Sequence, residues 1–513
     1  MPTYRSPRSY PRFDPSLLRR ADGPPKKIIV LGAGMAGLTA AYQLVQAGHD
    51  VTVIEARHEA GGRVRTLREP FVGGQHVEAG AMFLHGHHTL TMGYIAMMGL
   101  TLVPLVHRGS SVAYLRGQRL TDIDRKGMKW PVQVSKDEAG LGLMALWQKY
   151  IIPVVQKELT DPRAKGFPSP KLRAIDEMTA ADFLRVRGAS AGVLEILNAG
   201  YLDLMGNGLH CVSALAMLRD LTASVDGLPP LASGFSVGRL HDMPFARGVK
   251  VQGVKNPESQ KQIDAQAFTI LGGNDLLPHA LAKSPMLKGR ITYRAPIVRI
   301  ESQRRGVRVT AQMARGHRSW DADYVISTIP FSVLRTIDLA LDCTPAVRRM
   351  IDMVQITSVV RQYVQTRRRP WWRVNKAGTT ITDNSLQYLN DQSINQPGPH
   401  GILEAYSTGP HARAWMALPR RERRAMLLAG MDLVYPGLSK QVLRETHFDW
   451  DDEPYARGGY ASFEPGMLRA QLPLMKQPVG RFYFAGDATS SLPGWIQGAI
   501  ESGHAVAEAV HRA

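Results

Sequence analysis

Cysteine is nearly missing from this chain: Cys211 and Cys343 stand far apart and form no C-x-x-C pair. That excludes a disulfide framework and a cysteine-built zinc site, and it makes a reducing, cytoplasmic setting the expectation. Long apolar runs are missing too. No window offers the roughly 18 apolar residues of a membrane span, and no apolar stretch follows Arg19 and Arg20 as it would in a secretory leader. The first 26 residues, polar and carrying Pro2, Pro7, Pro11 and Pro15, read as a loosely ordered arm. Acidic residues are the scarcer charge, 44 against 63 Lys and Arg, for a net +19. Such an excess suits an anionic ligand or nucleic acid. Nucleic acid is disfavoured because the basic residues fall in short scattered groups, such as Arg367 to Arg369 and Arg420, Arg421, Arg423 and Arg424, with no stripe. Internal repeats and low-complexity tracts are absent, so the 513 residues divide into two or three ordinary domains.

What the sequence does contain begins at Ile28. "IIVLGAGMAGLTAAYQLVQAGHDVTVIEAR" passes from an apolar run through a glycine turn to helically spaced apolar residues, then Gly48 and a second β-branched run ending at Glu55. This is a βαβ unit. In its G-x-G-x-x-G, Gly32 permits the tight turn, Gly34 lets a pyrophosphate approach the backbone, and Gly37 packs helix on strand. The helix entered through Met35 and Ala36 aims its N–H groups and positive dipole end at the phosphates. Glu55 is placed for ribose hydroxyls. Helical patterns dominate from about Val112 to Gly234, strand alternation returns in "RITYRAPIVRIESQRRGVRVTAQMARG" and "DADYVISTIP", a second mixed region covers Phe331 to Trp450, and the chain ends in a strand, a glycine turn and a helix.

The residues after Glu55 choose the dinucleotide. "EARHEAGGRVRT" sets Gly61, Gly62 and Arg63 behind Glu55, Ala56 and Arg57, and resembles the second flavin signature of the flavin-dependent amine oxidases. Its glycines let the chain pass against the cofactor, and Arg63 offers a guanidinium fork to phosphate or to neighbouring carboxylates. "YFAGDATS", with Gly486 and Asp487, resembles that family's third FAD motif, and "GWIQGAIESG", with Gly494, Trp495 and Ile496, resembles the helix start beneath the flavin pyrimidine ring. "ILGGNDLLPHALA", "YVISTIPFSVLR", "ARGGYASFEPG" and Pro296-Ile297 also match family blocks, so the likeness spans most of the chain, and within the family it is nearest the L-amino-acid oxidase branch.

The resemblance implies an α/β (mixed α+β) two-domain fold. A Rossmann-like FAD-binding domain would be assembled from 27–85, 250–330 and 456–513. A mixed-sheet substrate-binding domain would take 86–111 and 331–455, and 112–249 would form its helical part over the entrance. It also implies FAD, contacted by Gly32, Gly34, Met35, Ala36, Gly37, Glu55, Ala56, Arg57, Gly62, Arg63, the turn Gly80, Ala81, Met82 and Phe83, Ile297, Gly486, Asp487, Gly494, Trp495 and Ile496. The monoamine oxidases tether flavin through a cysteine in a "GGCY" block. Here that block reads Gly458-Gly459-Tyr460, so non-covalent FAD is expected.

On the substrate side, the family's aromatic pair falls at Tyr460 and Trp495, which would bracket a small amine; ordinary core packing is their alternative. Two positions depart from the pattern. Amino-acid oxidases read G-A-M-R where this chain has Gly80-Ala81-Met82-Phe83, and a phenyl ring cannot bind the substrate carboxylate as that arginine does. "LHG" at Leu84 to Gly86 resembles the polyamine oxidases instead. The family's flavin-side lysine, ten residues before a tryptophan, falls on Arg361 counting from Trp371 or on Gln362 from Trp372. Arg361 is preferred as the cation; it keeps the charge but cannot serve as a base, and it is also a candidate for the missing carboxylate partner.

His85, His87 and His88 have three readings: metal ligands, substrate-channel lining, or polar surface. No Asp, Glu or Cys joins them between Ala79 and Leu105, so no metal is expected. The function implied is oxidative deamination of an L-amino acid, hydrophobic or aromatic, with O2 becoming hydrogen peroxide. Phe83 keeps a primary amine or polyamine beside it, and an amino-acid 2-monooxygenase uses similar motifs. An NAD-linked dehydrogenase is disfavoured by the Gly61-Gly62-Arg63 and Gly486-Asp487 motifs, and a flavin-holding scaffold is the non-enzymatic rival. No nucleic-acid or membrane partner is expected; a homo-oligomer such as a dimer stays open.

Overall fold

A computed structural model of the chain describes residues 18–21, 23–86, 88–105, 111–159, 168–201, 204–221, 249–252, 267–374 and 379–513. Most of the N-terminal arm, His87 and the later part of 112–249 thus lie outside the described residues. The glycine turn sits in a five-stranded parallel sheet ordered Ile291–Thr292, Asp50–Ile54, Lys27–Leu31, Tyr324–Ser327 and Phe482–Phe484. Three separate stretches of chain therefore build one layer, as parallel pairing requires crossovers. Its central strands are apolar on both faces because both are covered, one by helix Met35–Gln46 and the other by the antiparallel strands Ile297–Gln303, Gly306–Gln312 and His317–Ala322. Helix Met35–Gln46 lies against the C-terminal helix Ile496–Arg512, an approach that depends on Gly503: a Cβ there would stand 2.4 Å from the Ala36 carbonyl oxygen.

A second sheet of seven strands forms the other side of the molecule. Its order is Val442–Asp449, Val359–Thr366, Gly401–Thr408, Tyr388–Asp391, Thr379–Thr382, Val112–Leu115 and Gln118–Thr121. Alternation along its central strands decides the chemistry. Arg361 pairs with Tyr406 and Tyr363 with Glu404, while Tyr388 and Asn390 face the same two partners from the next strand. All six side chains therefore share one face. The opposite face buries Val364, Leu403 and Ala405 against Leu427, Leu428 and Met431 of helix Arg420–Val434. Six short helices between Leu143 and Leu221 pack as a third body, and the last, Ala214–Leu221, brings Arg219 and Asp220 to the interior.

The described residues correct three domain edges. Helix Thr89–Met97 and strand Thr101–Leu105 pack with the nucleotide-binding layer, not with the substrate side to which 86–111 was assigned: Leu102 pairs with Ile270, and Leu90, Met92 and Ile95 join that layer's core. The hairpin Val112–Thr121 belongs to the seven-stranded sheet, not to the helical part. Helix Met467–Met475, inside 456–513, packs on Pro345–Met353 and Pro170–Asp176.

Candidate active site

A cavity of about 600 Å³ is lined jointly by the glycine turn, the seven-stranded sheet and the last of the six helices, a size within the range of small-molecule sites, about 300–1,000 Å³. Gly32, Gly34, Met35, Ala36, Glu55, Ala56, Arg57, Gly61, Gly62, Arg63 and Ile297 line it on the nucleotide side. Gly80, Ala81, Met82, Phe83, Gly486, Asp487, Gly494, Trp495 and Ile496 line it beyond them, with Arg361 and Tyr460. Gly37 is the exception among the expected cofactor residues. It faces the turn itself, where a Cβ would lie 2.0 Å from the Gly32 carbonyl oxygen, so its task is helix-on-turn contact.

These residues fit a flavin dinucleotide. Helix Met35–Gln46 opens at Gly34 with no side chain capping its first N–H groups, which leaves donors for phosphate. Gly62 is left-handed at φ +60°, and a Cβ on it would come within 3.1 Å of the Gly34 Cα. A Cβ on Gly486 would project into open space. Glu55 accepts N–H bonds from Ala33 at 2.6 Å and Arg57 at 2.8 Å, while burial pushes its carboxyl above the usual range. Arg63 takes the carboxylate option: it pairs with Asp487 and donates to the Gly459 carbonyl at 2.7 Å, and Asp487 in turn accepts the Gly494 N–H at 2.9 Å. One ion pair thus ties the second motif to the third.

The turn Ala79 to Phe83 is held from several sides. Trp450 donates to the Ala79 carbonyl at 2.7 Å, and Asn274 donates to those of Ala81 and Met82 at 3.0 and 2.8 Å. Glu78, just before it, is fully buried. Burial outweighs its bonds from the Asn274 N–H and the Thr66 hydroxyl and raises its carboxyl to about 8.

Arg361 reaches the cavity and Gln362 does not, since it points through the other face to Ser407 at 3.2 Å. The Arg361 side chain, 12% exposed, stacks over Tyr406 at 4.5 Å, and donates to the Glu78 carbonyl at 3.0 Å and to Glu404 at 2.9 Å. Glu404, 1% exposed, also accepts from Gln392. Burial works against the guanidinium charge, but Glu404, Tyr363 and Tyr406 together outweigh it and hold Arg361 above its ordinary value. On Glu404 burial wins, and its carboxyl is raised.

Tyr460 and Trp495 both line the cavity. Tyr460 donates to the Leu204 carbonyl and meets the Tyr406 hydroxyl at 3.5 Å. Behind Trp495, His85 packs tilted at a ring distance of 5.2 Å and His88 edge-on at 5.3 Å, and both are 1% exposed. Neither lines the cavity. This corrects the surface and channel readings of these two; His87 lies outside the described residues, among which no cluster of metal-ligating groups occurs.

Sequence reasoning missed Asp220, Tyr201, Glu404, Tyr406 and Tyr388, all on the cavity. For Glu404 a signal existed: it is the lone charge in the apolar strand "GILEAYST". Asp220 accepts from the Tyr201 hydroxyl at 2.7 Å; burial pushes its carboxyl up to about 6 against bonds from Tyr201 and the Trp495 indole and the charge of Arg219.

The sequence profile described as "Flavin containing amine oxidoreductase" matches residues 35–511. The chain belongs to that family. The enzyme is 29% identical over 497 residues to the putative L-amino-acid oxidase YobN of Bacillus subtilis (strain 168), covering 95% of each chain. It is 25% identical to an L-amino-acid oxidase of Demansia vestigiata, over 95% of this chain and 87% of the other. Among solved structures it resembles cyclohexylamine oxidase from Brevibacterium oxydans IH-35A, with TM-score 0.74, 20% identity, and 95% and 99% of the two chains covered. Wild-type putrescine oxidase bound to putrescine also gives 0.74, at 22% identity over 96% and 100%. These two establish the shared fold. The enzyme is therefore a flavin-containing amine oxidoreductase.

Proposed function

We propose that the enzyme binds FAD non-covalently and oxidises a primary amine that carries no α-carboxylate: R-CH2-NH2 + O2 + H2O gives R-CHO + NH3 + H2O2. The observation that carries this reading is the pairing of Arg361 with Glu404 in the cavity that Phe83 also lines. The guanidinium that lines the cavity nearest the flavin-contacting turn already has a carboxylate, so a substrate carboxylate there would compete with Glu404 and strand one anion unpaired. Bound FAD would supply the hydride acceptor that O2 then reoxidises. Gly458-Gly459-Tyr460 offers no tethering cysteine, and neither Cys211 nor Cys343 lines the cavity.

The chain's own residues bind, orient and desolvate. Trp495 and Tyr460 present ring faces to a small amine, and Leu204, Met205, Phe83 and Phe463 supply apolar wall that excludes water. Arg361 holds fixed positive charge without acting as a base. Gly34, Met35, Glu55, Arg63 and Asp487 are assigned to the cofactor's phosphates and ribose. A second reading, oxidation of an L-amino acid, is favoured by the L-amino-acid oxidases matched over 95% of the chain.

A peroxide assay with each amino acid beside its decarboxylated amine tests the choice. The amine of each pair should give the higher kcat/KM in the wild type. Phe83→Arg should move the ratio toward the amino acid by about tenfold or more, the worth of a charge-assisted hydrogen bond. Faster wild-type turnover of the amino acids would overturn the amine reading, and an amide product in place of peroxide would establish the monooxygenase.

A further inference from the structure

The reaction as written makes an oxidant inside the cavity, and the cavity wall holds side chains that can take it. Met35, Met82 and Met205 all line the cavity. Of these three, only Met82 has amide N–H groups aimed at its sulfur among the described residues: Gln392 Nε2 stands 2.7 Å from Sδ and Asn390 Nδ2 stands 3.5 Å from it. Met82 also lines a second cavity of about 280 Å³, whose wall includes the exposed residues Leu271 and Asn395. A thioether sulfur is a weak acceptor for such donors, whereas a sulfoxide is polar and presents an oxygen to them. The oxidised side chain therefore finds its partners already in place.

We propose that Met82 is a self-modification site, oxidised to methionine sulfoxide by hydrogen peroxide that the enzyme's own turnover releases into the cavity. The step is R-S-CH3 + H2O2 giving R-S(O)-CH3 + H2O. A sulfur lone pair forms the new S–O bond, the O–O bond breaks, and the leaving hydroxide takes the proton of the transferred oxygen to become water; sulfur is oxidised by two electrons and peroxide reduced by two. Peroxide released into a cavity that Met82 lines reaches its sulfur undiluted. The change is passed on. Gln392 divides its amide hydrogens between Met82 and Glu404. An added oxygen does not fit within the 2.7 Å contact, so Gln392 must withdraw, and Glu404 loses a donor where Arg361 pairs with it. Turnover thereby slows the enzyme. The inference rests on the oxidase reading above and holds for either substrate class, since both release peroxide.

The test uses the full-length, flavin-loaded enzyme turned over with the paired amines and amino acids above, isopentylamine and L-leucine among them. Catalase is present to destroy peroxide that escapes, and a parallel run without it measures the peroxide. Peptide mass spectrometry then reads added oxygen at each methionine. Met82 should gain about 16 Da, one oxygen atom, while Met353 and Met286, 52% and 37% exposed, should stay unchanged. Peroxide added to resting enzyme without catalase should reverse that order, because exposure then governs. The rate should fall as the Met82 sulfoxide accumulates, and Met82→Leu, whatever its initial rate, should hold that rate over the same number of turnovers. Released peroxide with Met82 unchanged, or Met82 oxidation that catalase abolishes, would overturn the inference and leave the oxidase reading intact. No peroxide from any member of the series would overturn the oxidase reading and remove the oxidant with it.

Discussion

Glu404→Ala should cost about 3–5 kcal/mol of stability, the usual penalty for stripping one partner from a buried ion pair. Arg361 would be left charged between Tyr406 and the Glu78 carbonyl, and a guanidinium cannot shed its proton at any ordinary pH. The deficit should therefore be largest at low pH and shrink as pH rises through the raised Glu404 value, where the wild type loses stability and the variant has no such group to titrate. Arg361→Met should behave differently. It leaves Glu404, whose carboxyl burial already raises, and loss of the guanidinium raises it further. In the folded variant that carboxyl can take up a proton. A raised folded pKa means stability that is present below the unfolded carboxylate value and lost as pH rises through the folded one. The Arg361→Met deficit should thus be small near pH 5 and grow toward about pH 8. Urea unfolding of both variants at the two pH values gives the answer. A Glu404→Ala deficit that grows with pH, or a flat one for Arg361→Met, would mean that the pair does not carry the charges assigned to it.

Asp487→Ala should yield protein that loses its flavin. Asp487 is the point where the Arg63 guanidinium and the Gly494 N–H converge, so its removal frees the second flavin motif from the third. With charge-assisted hydrogen bonds worth about 1.5–3 kcal/mol each, flavin affinity should fall at least about tenfold. Asp487→Asn, which retains an acceptor for Gly494, should fall between that variant and the wild type. The flavin-to-protein ratio after gel filtration reads the effect, and an Asp487→Ala protein that keeps its flavin as tightly as the wild type would remove the pair from cofactor binding.

The nucleotide side was legible because its signals are local. Gly32, Gly34, Gly37 and Glu55 lie in one βαβ unit, and turn chemistry and strand period speak for each other within thirty residues or so. The substrate side depends on register. Whether Arg361 or Gln362 meets the cavity is a parity question along one strand, and only the pairing of Arg361 with Tyr406 answers it. His85 and His88 were misjudged because their burial is supplied by Trp495, four hundred residues away in sequence. Separation in sequence likewise hid the pairing of Leu102 with Ile270. Asp220 had no signal of its own, because an aspartate near a helix end is ordinary until Tyr201 and Trp495 enclose it.

The central claim is that the bound flavin takes a hydride from an amine, and the most direct measurement is anaerobic mixing of flavin-loaded enzyme with paired substrates. An amine without an α-carboxylate should bleach the visible flavin absorbance, and admitted O2 should restore the colour with one hydrogen peroxide released per amine consumed, while the matching amino acid leaves the flavin oxidised. Bleaching by the amino acid and not by its decarboxylated amine would contradict the account.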